Sequence, residues 1–124
     1  PLEDFLQQPR TRDILTEIIL PKADGRGSFC NFRNSAGDFS ILNVAAVRRG
    51  STWRLAVGAR PQCAALAAHA MEQLALGASP AFAAQTAADE LTFDSNMRAS
   101  AEYRKTLCTV LCTRALQEIS EVNR

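Results

Sequence analysis

The sequence predicts an α+β fold: a small, mainly antiparallel sheet of three to four strands packed against three helices. Three observations carry that expectation. Segments rich in β-branched or alternating residues, separated by turn chemistry, fill positions 14–59. The composition then turns alanine-rich from Pro61, and the chain closes on a long amphipathic stretch, residues 96–119. Strands first and helices afterwards place the helices on one face of the sheet.

Residues 1–10 read as a short helical or irregular lead-in with Leu2, Phe5 and Leu6 as its apolar side, stopped at Pro9. Residues 14–20, I-L-T-E-I-I-L, are β-branched and bounded by Pro21, which predicts a strand. Residues 23–28 contain two glycines and predict a chain reversal. A shorter strand is expected over 29–33, then a turn over 34–38 in which Gly37 takes a positive φ. Residues 39–48, F-S-I-L-N-V-A-A-V-R, carry apolar side chains on both alternating faces, the pattern of a strand inside a covered sheet. A helix competes there, because Ala45 and Ala46 tolerate either state, but the flanking turns and β-branched residues favour the strand. Arg49, Gly50 and Ser51 make a tight reversal. Over 52–59 the alternation is clean, with Trp53, Leu55, Val57 and Ala59 facing one way and Thr52, Arg54 and Ala56 the other.

Pro61 sits just inside an expected helix start, and that helix runs to about Leu76 with Leu66, His69, Ala70, Gln73 and Leu74 on one face. Gly77 is placed to end it. Residues 78–91 predict a second helix after Pro80, with Phe82, Ala83 and Thr86 as its inner side. In the final stretch Tyr103, Leu107, Val110, Leu111 and Ala115 recur at helical spacing and form an apolar stripe. Glu102, Arg104, Lys105, Arg114 and Glu118 lie off that stripe, where water solvates them. Ser95 or Ser100 is positioned to cap the start.

With 124 residues the chain suits one domain with a real core. A formal net charge of +1 leaves no electrostatic footprint for nucleic acid or an anionic membrane. No apolar run approaches the roughly 20 residues of a membrane span, and no signal peptide is evident. The first residue is a proline, which leads us to expect a piece of something longer. Cys30, Cys63, Cys108 and Cys112 form no C-x-x-C pair, and His69 is the single histidine, so a reduced, cytoplasmic protein is expected. A zinc site built from these thiols is the rival reading.

No catalytic constellation emerges: there is no nucleophile elbow, no H-E-x-x-H and no G-x-G-x-x-G. His69 reads as a packed or solvent-edge imidazole, Trp53 as core, and Arg48 and Arg49 as solvated. The N-S-A-G-D turn, 34–38, is either a ligand loop or a plain hairpin, and chemistry alone favours the hairpin. A good core without a chemical toolkit is the pattern of a supporting domain.

Met97-Arg98-Ala99-Ser100-Ala101-Glu102-Tyr103-Arg104, followed by a leucine-rich turn and Arg114-Ala115-Leu116, resembles the last helix of the flavoprotein C-terminal domain of molybdenum hydroxylases. That family includes the FAD subunits of xanthine dehydrogenase and carbon monoxide dehydrogenase. Asp13-Ile14-Leu15-Thr16-Glu17-Ile18, closing at Pro21, resembles the family's first strand. Residues 29–32, 36–41 and 44–46 resemble the hairpin that follows it. Gly58-Ala59-Arg60-Pro61 is similar to the end of the last strand. Residues 2–9 resemble the segment leaving the preceding FAD-binding domain, so the likeness spans nearly the whole chain.

The resemblance implies that residues 1–10 are the tail of an absent FAD-binding domain and 11–124 the C-terminal α+β domain. It implies a role as part of a xanthine dehydrogenase-like oxidoreductase, with the fragment inactive alone. Electrons would pass from 2Fe–2S clusters, reduced by a molybdenum cofactor on partner subunits or domains, through FAD to an acceptor such as NAD. The expected partners are the FAD-binding domain of the same subunit and the iron–sulfur and molybdenum subunits. Most FAD contacts would belong to the preceding domain. The start of the first strand would lie against the isoalloxazine, which makes Asp13, Ile14 and Leu15 the candidate flavin contacts. Cys30 stands where the family commonly has lysine beside the flavin, Asp13 replaces the usual glutamate, and Ser35 a frequent arginine. Lost cations near the ring would change how reduced flavin is stabilised, which opens the question of the acceptor. No catalytic residue and no metal ligand is assigned. The alternative reading is a non-enzymatic protein-interaction domain of the same fold.

Overall fold

The structure, a computed structural model, describes residues 4–5, 8–9, 12–20, 22 and 24–121. Its elements are β1 (Arg26–Phe32), β2 (Leu42–Arg49), β3 (Thr52–Gly58), β4 (Ala65–Leu66), α1 (Ala68–Ala75), α2 (Pro80–Glu90) and α3 (Ala101–Glu121). The strands form one sheet in the order β1-β2-β3-β4, every pair antiparallel. The predicted α+β layout is therefore the observed one. Phe29 faces Ala45, Ala45 faces Ala56, and Ala56 faces Leu66 across the sheet. Between β2 and β3 the pair Arg49–Thr52 closes a two-residue turn in which Gly50 takes φ +58°, as a tight hairpin requires of its first turn residue.

Alternation sorts the sheet into two unlike faces. Leu42, Val44 and Ala46 of β2 and Leu55 and Val57 of β3 are fully buried beneath the helices. Asn43, Ala45, Val47 and Ala56 on the other face are only half-buried, and Phe29 beside them is exposed. The helices cover one face, as the order of elements predicts; β2, expected inside a covered sheet, is sealed on that face and only half-buried on the other. α3 lies over β1 and β2, α1 lies against β3, and α2 packs on both α1 and α3. Small side chains allow this close helix packing, since Ala83, Ala84, Ala87 and Ala88 of α2 are all inaccessible to solvent.

Each helix end has an identifiable cause. Ser79 caps α2, its Oγ accepting from Phe82 N at 3.2 Å, with Pro80 at the first helical position. α1 has no such cap of its own; Glu90 from the end of α2 accepts from His69 N at 2.9 Å and Ala70 N at 3.0 Å instead. Gly77, at φ +89°, closes α1 with the paired bonds Ala78 N to Gln73 O and Gly77 N to Leu74 O. At α3 both candidate serines act: Ser100 Oγ accepts from Tyr103 N and Ser95 Oγ from Ala101 N.

Several expectations need correction. Residues 14–20 form no strand; they run irregular and exposed, with Ile14 at 87% and Leu20 at 83% accessibility. The fourth strand is instead β4, inside the stretch from Pro61 expected to be helical. No reversal occurs over the described part of 23–28, because β1 already begins at Arg26. Gly37 is not among the positive-φ residues. Phe82, expected inside, is 57% exposed, and Tyr103 and Val110 sit at the rim of the α3 stripe. The expected lead-in and domain tail over 1–10 lie largely outside the described residues; Asp4 and Phe5 have helical backbone.

Candidate functional site

The feature that organises one end of the domain is a side chain expected in water. Arg104 is 1% exposed, on the first turn of α3. Its Nη1 donates to the carbonyls of Ile41, just before β2, and Ala59, just after β3. Its Nη2 donates to Asn96 Oδ1 at 2.5 Å. Nε has no partner, and no carboxylate among the described residues pairs with the guanidinium. Burial, with a smaller contribution from Arg98, pulls its pKa below the usual arginine value. One cation thus pins the helix start to two strand ends at once. The carbonyl it holds on Ala59 belongs to a residue at φ +59°, a conformation that costs a non-glycine residue about 1–2 kcal/mol.

Arg60, next along, is 6% exposed and works in the same way. It donates to Thr92 O at 2.6 Å and Cys63 O at 2.9 Å, tying the loop after β3 to the connector before α3. Gln62 and Asp94 join the same pair of segments at 2.7 Å.

The turn between β1 and β2 stands next to this knot. Asp38 N donates to Ser35 O at 3.2 Å, and Ile41 N to Phe32 O at 2.7 Å, which closes the hairpin. Phe39 N donates to Asp38 Oδ1 at 2.7 Å. Arg98 Nε approaches the same oxygen at 3.3 Å, and its guanidinium lies 5.2 Å from the centroid of the Phe39 ring. Phe39 is nevertheless 77% exposed. The turn expected to be a plain hairpin therefore presents an aromatic ring to solvent while holding it from behind. Phe32 and Tyr103, an edge-to-face pair with centroids 6.4 Å apart, flank the same end.

Of the sequence-predicted site residues, Asp13, Ile14 and Leu15 lie in the exposed segment 12–20, and Leu15 is 64% accessible. No backbone hydrogen bond among the described residues engages that segment. Cys30 is elsewhere: half-buried on the helix-facing side of β1, packed against the core, with its Sγ 3.9 Å from Ser28 Oγ. Ser28 in turn donates to Glu118 Oε2 of α3 at 2.6 Å. No hydrogen bond joins Cys30 to residues 13–15 among the described residues.

The other thiols separate by environment. Cys108 and Cys112 are fully buried with Sγ atoms 3.8 Å apart, and this contact, with burial, pushes the Cys112 thiol far up. Cys63 is exposed on the loop after β3. Among the described residues no group of three or more His, Cys, Asp or Glu is placed to hold a metal. His69 remains at the solvent edge, its Nδ1 3.5 Å from Glu90 Oε2. No described helix is long and apolar enough to cross a membrane.

Sequence reasoning missed Arg104, Arg60 and the braced Phe39. The signal for Arg104 was present: at helical spacing it stands in register with Leu107, Cys108, Leu111, Cys112 and Ala115, all buried.

An antiparallel sheet roofed on one face by helices defines a small α+β domain. Residues 27–119 match the family described as the CO dehydrogenase flavoprotein C-terminal domain, and the chain belongs to that family. The fold is shared with solved structures of low sequence identity. Quinoline 2-oxidoreductase from Pseudomonas putida 86 matches at TM-score 0.69 and 21% identity, over 82% of this chain and 39% of that one. A carbon monoxide dehydrogenase from Hydrogenophaga pseudoflava, lacking the Mo-pyranopterin moiety of its cofactor, matches at 0.67 and 23%, over 81% and 38%. Reconstituted CO dehydrogenase from Oligotropha carboxidovorans matches at 0.64 and 20%, over 82% and 39%. The chain thus spans under two fifths of the length of these solved chains. No curated protein matches it.

Proposed function

We propose that this domain forms one wall of the flavin site in the FAD subunit of a molybdenum hydroxylase, and that the chain is part of an oxidoreductase rather than an enzyme by itself. The observation that carries the reading is the family match across residues 27–119. The finer reading is a xanthine dehydrogenase-like enzyme with NAD or another acceptor. Its partners are the FAD-binding domain of the same subunit, which is the domain residues 1–10 would leave, and the iron–sulfur and molybdenum subunits. A cytoplasmic setting accords with four free thiols.

The residues present suit a flavin. No described residue takes up the backbone polar groups of 13–15, which can meet the edge of a ring, and Ile14 and Leu15 offer apolar cover. Phe39 is an exposed ring held by a stacked cation, so it offers a flat surface already fixed in place. In this reading Asp13, Ile14, Leu15 and Phe39 line the flavin and keep water off it. Cys30 would act from within β1, where its thiol leaves the neighbourhood less positive than a lysine would. Bound there, FAD supplies the electron transfer between the iron–sulfur clusters and the final acceptor.

The test is purification of the natural protein that contains this chain, with a cofactor inventory and identification of co-purifying subunits. FAD, iron–sulfur and molybdenum in fixed ratio support the reading. A protein free of flavin would sink it and favour the protein-interaction role. Tight FAD binding by residues 1–124 alone would overturn the division of labour between the two domains.

A further inference from the structure

We propose that Arg98 is a positioning residue for the flavin wall: it holds the Phe39 ring and the Asp38 carboxylate in the orientation the ring of the cofactor meets. This rests on the reading that the turn carrying Phe39 faces FAD. A ring that is 77% exposed gains little from its own burial, so nothing in the domain's core fixes its rotamer. Arg98 does so from two directions. Its Nε reaches Asp38 Oδ1 at 3.3 Å, the same oxygen that accepts from Phe39 N, and its guanidinium stacks on the Phe39 ring at 5.2 Å. Both partners lie on one turn, so a single planar cation sets the backbone and the ring together.

The brace is rooted in the core. Arg98 N donates to Asn96 Oδ1 at 3.0 Å, and that oxygen also accepts from the buried Arg104 Nη2. Arg104 is anchored in turn by the carbonyls of Ile41 and Ala59. The bridge between Asn96 and Ala99 holds Arg98 in a tight turn between them. A chain of contacts therefore runs from the closed interior to an exposed ring. It makes a wall that is ordered before anything is bound to it, which lowers the ordering cost of binding.

The experiment is a double-mutant cycle in the natural FAD-loaded protein, with Phe39→Ala, Arg98→Gln, Arg98→Lys and the double variant Phe39→Ala/Arg98→Gln. FAD dissociation constants, the visible circular dichroism of the flavin and the melting temperature are measured on each. If Arg98 acts through Phe39, Arg98→Gln raises the dissociation constant about tenfold alone but less than about twofold in the Phe39→Ala background. Arg98→Lys, which keeps the charge near Asp38, restores part of the affinity and of the dichroism. Equal effects of Arg98→Gln in both backgrounds, or a lower melting temperature with unchanged flavin dichroism, overturn the positioning role. If Phe39→Ala itself leaves affinity and dichroism untouched, the turn does not face the flavin, and the underlying reading of this wall fails instead.

Discussion

Residues 41–57 and residues 14–20 are both rich in aliphatic side chains, yet the fold treats them oppositely. In the first, Ile41, Leu42, Val44, Leu55 and Val57 are sealed between sheet and helices. In the second, Ile14, Leu15, Ile18, Ile19 and Leu20 are all more than 60% exposed and pair with no strand. The difference lies in the partner, not the composition. The interior stretch meets its cover inside the same chain, because α3 and α1 arrive later with alanine, leucine and cysteine on one face. The leading stretch finds no such cover among the described residues. On the proposed function its cover is the domain that holds FAD, and the contrast divides the molecule into a finished core and an unfinished wall.

The strongest way to break that division is at its hinge point. Arg104→Ala would strand the Ile41 and Ala59 carbonyls in the interior and open a cavity, at an expected cost of about 3–5 kcal/mol read from urea unfolding. A loss below about 1 kcal/mol would mean the buried cation is not what ties α3 to the strand ends. Next comes the sealed face itself. Leu55→Ala should cost about 2–4 kcal/mol in the same measurement, since its side chain is wholly enclosed.

A smaller effect depends on pH. The Cys112 thiol keeps its proton in the folded state well above the ordinary value of 9.0, because Cys108 and burial oppose ionisation. The unfolded chain releases that proton as pH rises through 9.0, so it binds fewer protons than the folded one. Stability is therefore full below that pH and declines above it, by up to about 1.4 kcal/mol per pH unit for this group. The difference between the wild-type and Cys112→Ala unfolding curves from pH 8 to 10.5 isolates the effect, and a flat difference would refute it. The smallest expected change sharpens the contrast from the open side. Ile19→Ala should alter the stability of the chain by less than about 0.5 kcal/mol, because 78% of the residue already lies in water. A loss like that of Leu55→Ala would show that the segment is covered after all.

Much of the fold was legible in the sequence, and the failures share a cause. Alternation in Thr52–Gly58, the glycine in the β2–β3 turn, Pro80 behind a serine and the α3 stripe all act locally, and each was readable. Residues 14–20 were misread because β-branched content measures compatibility with a strand, while a strand also needs a neighbour to pair with. β4 was hidden inside an alanine-rich stretch, where helix propensity is high and only the register against Ala56 and Val57 decides. Arg104 was placed in water by its charge, although its helical position lay within the buried stripe. Two of its acceptors, the carbonyls of residues 41 and 59, lie far off in the sequence, so no local pattern announced them. The resemblance supplied the flavin. Composition and spacing offered only a domain without chemistry of its own.

The loop after β3 has a practical consequence. Cys63 is the one exposed thiol among the four, and its own carbonyl is gripped by Arg60, which also holds the connector at Thr92. A maleimide dye would attach there ahead of the shielded sulfurs, without any engineered cysteine. Its emission would report from the joint between the layers, so the order in which sheet, connector and last helix come together during refolding becomes directly observable.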